Sequence, residues 1–191
     1  MGSDFANNMT SGLLNAAYDG VCYCNLAIVQ AEKTPFASDE ERKQKVAEAY
    51  FMRAVYYYNM VEQLGGVKLQ MAPVDNVDIH PGKDSPMDIY EKCIIPDLEF
   101  AAQWLPVEDR TRPSKKSAMG MLARACLQSV EYDSSKKYVQ RALEVAQEMI
   151  NDCKAGGAAL GVYMYDNVED VFDENNNFEN KEALWKHRYV A

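Results

Sequence analysis

Between Thr10 and Ala31 the apolar residues Leu14, Ala17, Val21, Cys24 and Ile28 recur every three or four positions, which puts them on one face of an amphipathic helix. Thr34-Pro35 interrupts the pattern. Ser38-Asp39-Glu40-Glu41 then reads as a capping box, a hydroxyl and a carboxylate satisfying the first free amides of a new helix. That second helix is predicted from Asp39 to Leu64, with Val46, Tyr50, Tyr57, Val61 and Leu64 on one face and Phe51, Val55 and Tyr58 on another. It is apolar nearly all round from Ala49 to Val61, so it belongs at the centre, touched from several sides. Arg53 is the one charge in that stretch, and its guanidinium must snorkel to water or meet a carboxylate, with Glu48 and Glu62 near it in sequence. Gly65-Gly66 is the expected stop, because helix ends commonly need a positive φ that glycine adopts at little cost.

From Val67 to Asp84 the prolines, Asp and Asn follow no helical period, and the segment reads as a long surface connection. Ser85-Pro86 opens a third helix running to about Leu105, and Pro96 inside it should kink or split it by clashing with the carbonyl of Lys92. Ser114 can cap a fourth helix carrying Ala118, Leu122, Ala125 and Leu127. Asp133-Ser134 opens a fifth, with Tyr138, Ala142, Ala146, Met149 and Ile150 on its packing face and Gly156-Gly157 at its end. The helix starts follow no strict repeat. The expectation is one all-α domain over 1–191, with antiparallel helical hairpins over 10–154 and an irregular, partly extended tail over 155–191, in which 183–190 forms a terminal strand.

Composition narrows the function. The 191 residues carry a net charge of −9 and no dense basic patch, which works against nucleic acid as a partner. No stretch is apolar enough to span a membrane, and MGSDFANNMT lacks the order of a signal peptide. Cys22, Cys24, Cys93, Cys126 and Cys153 sit in apolar helical patterns and read as small buried hydrophobes. With His80 and His187 far apart in sequence, no metal site is expected. Asp166, Glu169, Asp170, Asp173 and Glu174 resemble a calcium cluster, but the loop from Asp173 has Phe178 and Leu184 where Gly and Glu are wanted, so a solvated acidic turn is the expectation. The motifs of nucleophilic, metal and nucleotide chemistry are absent, so neither enzyme activity nor a cofactor is expected. Tyr56, Tyr57, Tyr58, Trp104 and Trp185 read first as packing residues.

Three blocks occur in an informative order: AEAYFMRAVYYYNMVEQLGGVKL at 47–69, SPMDIYEKCIIPDLEFAAQWLP at 85–106 and RPSKKSAMGMLARACLQ at 112–128. Together they resemble the SusD/RagB family of outer-membrane nutrient-binding lipoproteins, and YDGVCYCNLAI and YDNVEDVFDENNNFENKEALWKHRY extend the likeness over nearly the whole chain. The resemblance implies a tetratricopeptide-like scaffold in a protein about twice this length or more, so the chain looks like an internal fragment. It also implies a lipid-anchored protein at the cell surface that binds glycans or other nutrients without cleaving them. The partner would be a SusC-like TonB-dependent transporter. Glu48, Arg53, Gly65, Gly66 and Arg124 match structural positions of the family pattern. Asn7, Asn8, Tyr18, Asp75, Asn76 and His80 are candidate ligand contacts, chosen for expected exposure. The alternative reading is a tetratricopeptide-type scaffold that holds a peptide in a helical groove.

Overall fold

The structure, a computed structural model, describes residues 2–73, 82–107, 112–176 and 180–186, by backbone alone at 2–9 and 176. It is helical, with α1 (Gly2–Ala31), α2 (Asp39–Leu64), α3 (Pro86–Ile89), α4 (Ile95–Trp104), α5 (Lys115–Gln128), α6 (Val139–Lys154) and the short α7 (Val168–Phe172). α1 packs on α2, α2 on α4, α4 on α5 and α5 on α6, a row of antiparallel hairpins of the expected tetratricopeptide-like kind.

α2 lies at the centre, as its all-round apolar pattern requires: Ala47, Phe51, Ala54, Tyr57, Met60 and Val61 are 0% exposed. Its start follows the predicted cap. Ser38 Oγ accepts the amide of Glu41 at 3.1 Å, and the Glu41 carboxylate reaches back to the amide of Ala37 at 3.0 Å. At its end Gly65 has φ +71° and donates its amide to Val61 O at 2.9 Å.

The third rod stays helical through Pro96, with an irregular turn just before it. α3 runs through a π turn at Tyr90–Ile94 into α4, and the amide of Ile95 bonds the carbonyl of Tyr90, five residues back. Widening the turn just before Pro96 relieves its clash with the preceding carbonyls.

Several expectations need correction. α1 begins at Gly2, well before Thr10. The last long helix begins at Val139, not at Asp133-Ser134, because the Asp133 carboxylate accepts the amides of Ser135 (2.9 Å) and Lys137 (3.0 Å) and closes a turn of its own, and Lys136 stands at φ +55°. α6 packs mainly on α5, so the covered stripe is narrow: Ala142, Val145, Met149 and Asp152 are buried, while Ile150 is 47% exposed. On α5, Leu127 likewise faces outward, because it lies off the stripe of Ala118, Leu122 and Ala125. Cys24, Cys93 and Cys126 are buried, but Cys22 is exposed and Cys153 half-buried. The tail shows no strand among the described residues: 183–186 is irregular and held by side-chain contacts, and the rest of the expected strand, 187–190, lies outside the described residues.

Candidate functional site

Arg53 sits at the crossing of α1, α2 and α4, nearly inaccessible to water. Its Nε and Nη2 meet Asp97 Oδ2 and Oδ1 at 2.7 and 2.9 Å, and its Nη1 donates to Asn25 Oδ1 at 2.7 Å. The partner is therefore Asp97, 44 residues away in sequence, and not Glu48 or Glu62, which the chain-local reading offered. Glu48 instead binds Arg112 Nη1 at 2.6 Å, and Glu62 accepts the Tyr90 hydroxyl at 2.8 Å. A bidentate arginine–carboxylate pair is among the few arrangements that let two charges be buried together. Burial pushes the Asp97 carboxyl upward against the pull of Arg53, and the thiol of Cys93 adds a donor at 3.4 Å.

This cluster fastens the segment after α2. Asn25 Nδ2 donates to Gln70 O (2.9 Å) and Ala72 O (3.2 Å), and Arg53 Nη1 donates to Met71 O (3.4 Å). The Tyr57 hydroxyl both donates to Gln70 O and accepts the Gln70 amide, at 3.2 and 2.7 Å. Tyr18 donates to Lys68 O at 2.7 Å, and Asp84 receives the amide of Leu69 at 2.8 Å. Side chains from the two helices beneath it, together with Asp84, thus meet polar groups of the 68–72 backbone. Tyr18 is thus engaged with the chain itself. Asp75, Asn76 and His80 follow directly from this fastened segment and lie outside the described residues, as do the side chains of Asn7 and Asn8 on α1.

The other placed positions are structural in character. Gly65 supplies the positive φ of the cap, and a Cβ on Gly66 would come within 2.5 Å of Asp84 O. The exposed Arg124 lays its guanidinium over the Tyr58 ring, 5.4 Å from the centroid. No three His, Cys, Asp or Glu among the described residues are grouped to hold a metal ion.

At the amino-terminal end of α5 lies a cleft of about 270 Å³, walled by that helix, the turn at 156–163 and the segment 180–186. Lys116 ties the three walls together by donating to Gly161 O at 3.0 Å and Lys181 O at 2.8 Å. Ser117 Oγ donates to Leu184 O at 2.6 Å. Trp185 meets Phe51 of α2 edge-on at 5.2 Å, which anchors the tail on the core as a packing residue. A wider groove of about 610 Å³ between α4, α5 and α6 is crossed by Arg141, itself held by Glu99 at 2.6 and 2.8 Å.

A family model for SusD-like proteins, described as starch-binding and associating with the outer membrane, matches residues 4–127, from the start of α1 to the end of α5. The chain belongs to the SusD-like family. SusD-like protein P2 of Formosa agariphila is 31% identical over the full length of this chain, which spans 36% of that protein. A SusD-like protein of Bacteroides ovatus is 29% identical over 94% of the chain and 33% of its own length. A protein crystallised with a xylogluco-oligosaccharide superposes with a TM-score of 0.70 at 27% identity, covering 90% of this chain and 34% of that one. The chain thus spans about a third of the length of the curated relatives it matches.

In this SusD-like chain the sequence pattern named Arg53 but missed Asn25 and Asp97, which lie on helices that only tertiary packing brings together. One signal was present: Asn25 and Asp97 each interrupt an apolar face, one beside Val21 and Cys24, the other between Ile94 and Leu98. The cleft at α5 was not legible at all, because its walls come from three separate segments.

Proposed function

We propose that the full-length protein binds glycans at the cell surface without cleaving them, and passes them to a SusC-like TonB-dependent transporter in the outer membrane to which it is itself lipid-anchored. The observation that carries this reading is the match of the starch-binding, outer-membrane-associating family model to 4–127, the region that builds the helical stack. The relative crystallised with a xylogluco-oligosaccharide lends it further support. In this reading the Arg53 cluster and Asn25 are positioning groups that hold the base of the 74–81 connection, and Asp75, Asn76 and His80 present hydrogen-bonding groups to sugar hydroxyls. Asn7, Asn8 and Tyr18 are further candidate contacts, and Tyr18, whose hydroxyl is engaged with Lys68 O, would meet a sugar through its ring.

Native affinity electrophoresis of the full-length protein through gels containing different polysaccharides tests the reading. Retardation by at least one glycan, weakened in Asn76→Ala and His80→Ala with the fold unchanged by circular dichroism, is the expected result. Migration unaltered across a broad panel, together with binding of an extended peptide, counts against it.

A further inference from the structure

The row of hairpins ends on α6, and that helix has a second apolar face. Val139, Leu143, Ala146 and Ile150 recur at spacings of four, three and four residues, with Cys153 three further on, the alternation that seats one helix against another along a single seam. The seam lies beside the stripe of Ala142, Val145 and Met149 that is buried against the stack, yet it is open to water: Leu143 is 59% exposed, Ile150 47% and Val139 38%, while Ala146 and Cys153 are half-buried. The polar residues along its flank find partners on the helix itself, Gln140 with Glu144 at 3.3 Å and Gln147 with Asn151 at 2.9 Å. The seam can therefore be dried without stranding a polar side chain. After α6 the described tail turns to α5 and α2, where Ser117 holds Leu184 O at 2.6 Å and Trp185 meets Phe51.

We propose that this seam is the seat of a further helix, supplied by the part of the full-length protein that follows residue 191, so that the row of hairpins continues past α6. Two observations choose this occupant. The chain spans 36% and 33% of the curated relatives it matches, which leaves most of such a protein to supply the helix. The packing along the row, α1 on α2, α2 on α4, α4 on α5 and α5 on α6, also follows chain order, which places the next element at α6. A second copy of the chain is the weaker occupant. The 16 residues of α6 make about 24 Å of helix, and a stripe about 10 Å wide along it falls well short of the roughly 800 Å² per partner that a stable complex buries. A helix tethered in the same chain needs no such area, because its local concentration is already high. Its own seam carries Leu, Ile or Val against Leu143 and Ile150, with the axes crossing at about 20°. The proposal is independent of the glycan reading.

The test uses the purified full-length protein. Leu143→Cys and, separately, Ile150→Cys are alkylated with iodoacetamide under native conditions, and the rate at each new thiol is read by mass spectrometry against that of the exposed Cys22. Each new thiol should react at least about tenfold more slowly than Cys22, while light scattering shows a monomer. In a further variant, p-benzoylphenylalanine replaces Gln147 on the flank of the seam, so that illumination links whatever lies there without disturbing the seam. The expected product is a link within one chain to a helix beyond residue 191. Thiols as reactive as Cys22 overturn the proposal. A link to a second copy, a link to residues 1–191 of the same chain, or no link at all overturns it as well.

Discussion

The two glycines that end α2 do different jobs. Gly65 is needed for a backbone conformation, φ +71° with ψ −137°, that a side chain strains, and Gly66 for the space Asp84 O occupies 2.5 Å from where its Cβ would stand. Gly65→Ala and Gly66→Ala are each expected to cost about 1–3 kcal/mol, read as lower urea midpoints with unchanged slopes. Asp97→Ala is expected to cost more, about 3–5 kcal/mol, since it leaves the buried Arg53 charge without its partner. The thiols divide as sharply: burial pushes Cys24 up to about 11 and Cys126 to about 12, whereas Cys22 is exposed. An alkylating reagent at neutral pH should therefore modify Cys22 first and leave Cys24, Cys93 and Cys126 until unfolding, as mass spectrometry of partial digests will show. At this scale the sequence marked the residues but not their partners. Arg53 stood out as a charge in an apolar run, yet its carboxylate lies 44 residues on, and chain distance says nothing of that.

Among the elements, those with a strong period and a cap were legible from sequence. α2 and α5 begin where Ser38 and Ser114 place them, and α3 begins after Ser85 with its proline in the first turn. The misplaced start of α6 shows what pattern cannot weigh, for an Asp-Ser pair serves a local turn as readily as a helix cap, and here Asp133 is taken by Ser135 and Lys137. The end of α6 depends on Asp152. Burial works against its charge, but the amides of Ala159, Val162 and Leu160 hold the carboxyl below its usual value. A carboxyl so depressed binds its proton less tightly folded than unfolded. Its contribution is complete above roughly pH 4 and is lost as the pH falls through the folded value. Acid should accordingly loosen the turn at 156–162, one wall of the cleft at α5, and Asp152→Asn should loosen it already at pH 7. Amide hydrogen exchange of that turn across pH 3–7 measures both. Close approach between elements is equally specific: a Cβ on Gly20 would stand 2.4 Å from the Tyr56 ring, so Gly20→Ala should separate α1 from α2 and lower the melting temperature.

For the molecule as a whole, the hairpin stack follows from amphipathic helices with short breaks, and the family likeness followed from three blocks that fall on α2, on the α3–α4 rod and on α5. The candidate binding surface was far less legible. A scaffold announces itself through periodicity, while clefts and the footings of loops are assembled from segments that meet only after folding, as the base of the 74–81 connection and the cleft at α5 both are. The stack supplies rigidity: α2, its middle turns largely buried, fixes Arg53 and Tyr57, and these hold the segment 68–72 that leads into the 74–81 connection. The central claim is capture of a saccharide without chemistry upon it. Calorimetric titration of the full-length protein with the glycan that most retards it in gels, followed by chromatography of the recovered sugar, tests this most directly. Saturable binding with the saccharide returned intact is the predicted result. Shortened products, or no heat of binding, would contradict the account.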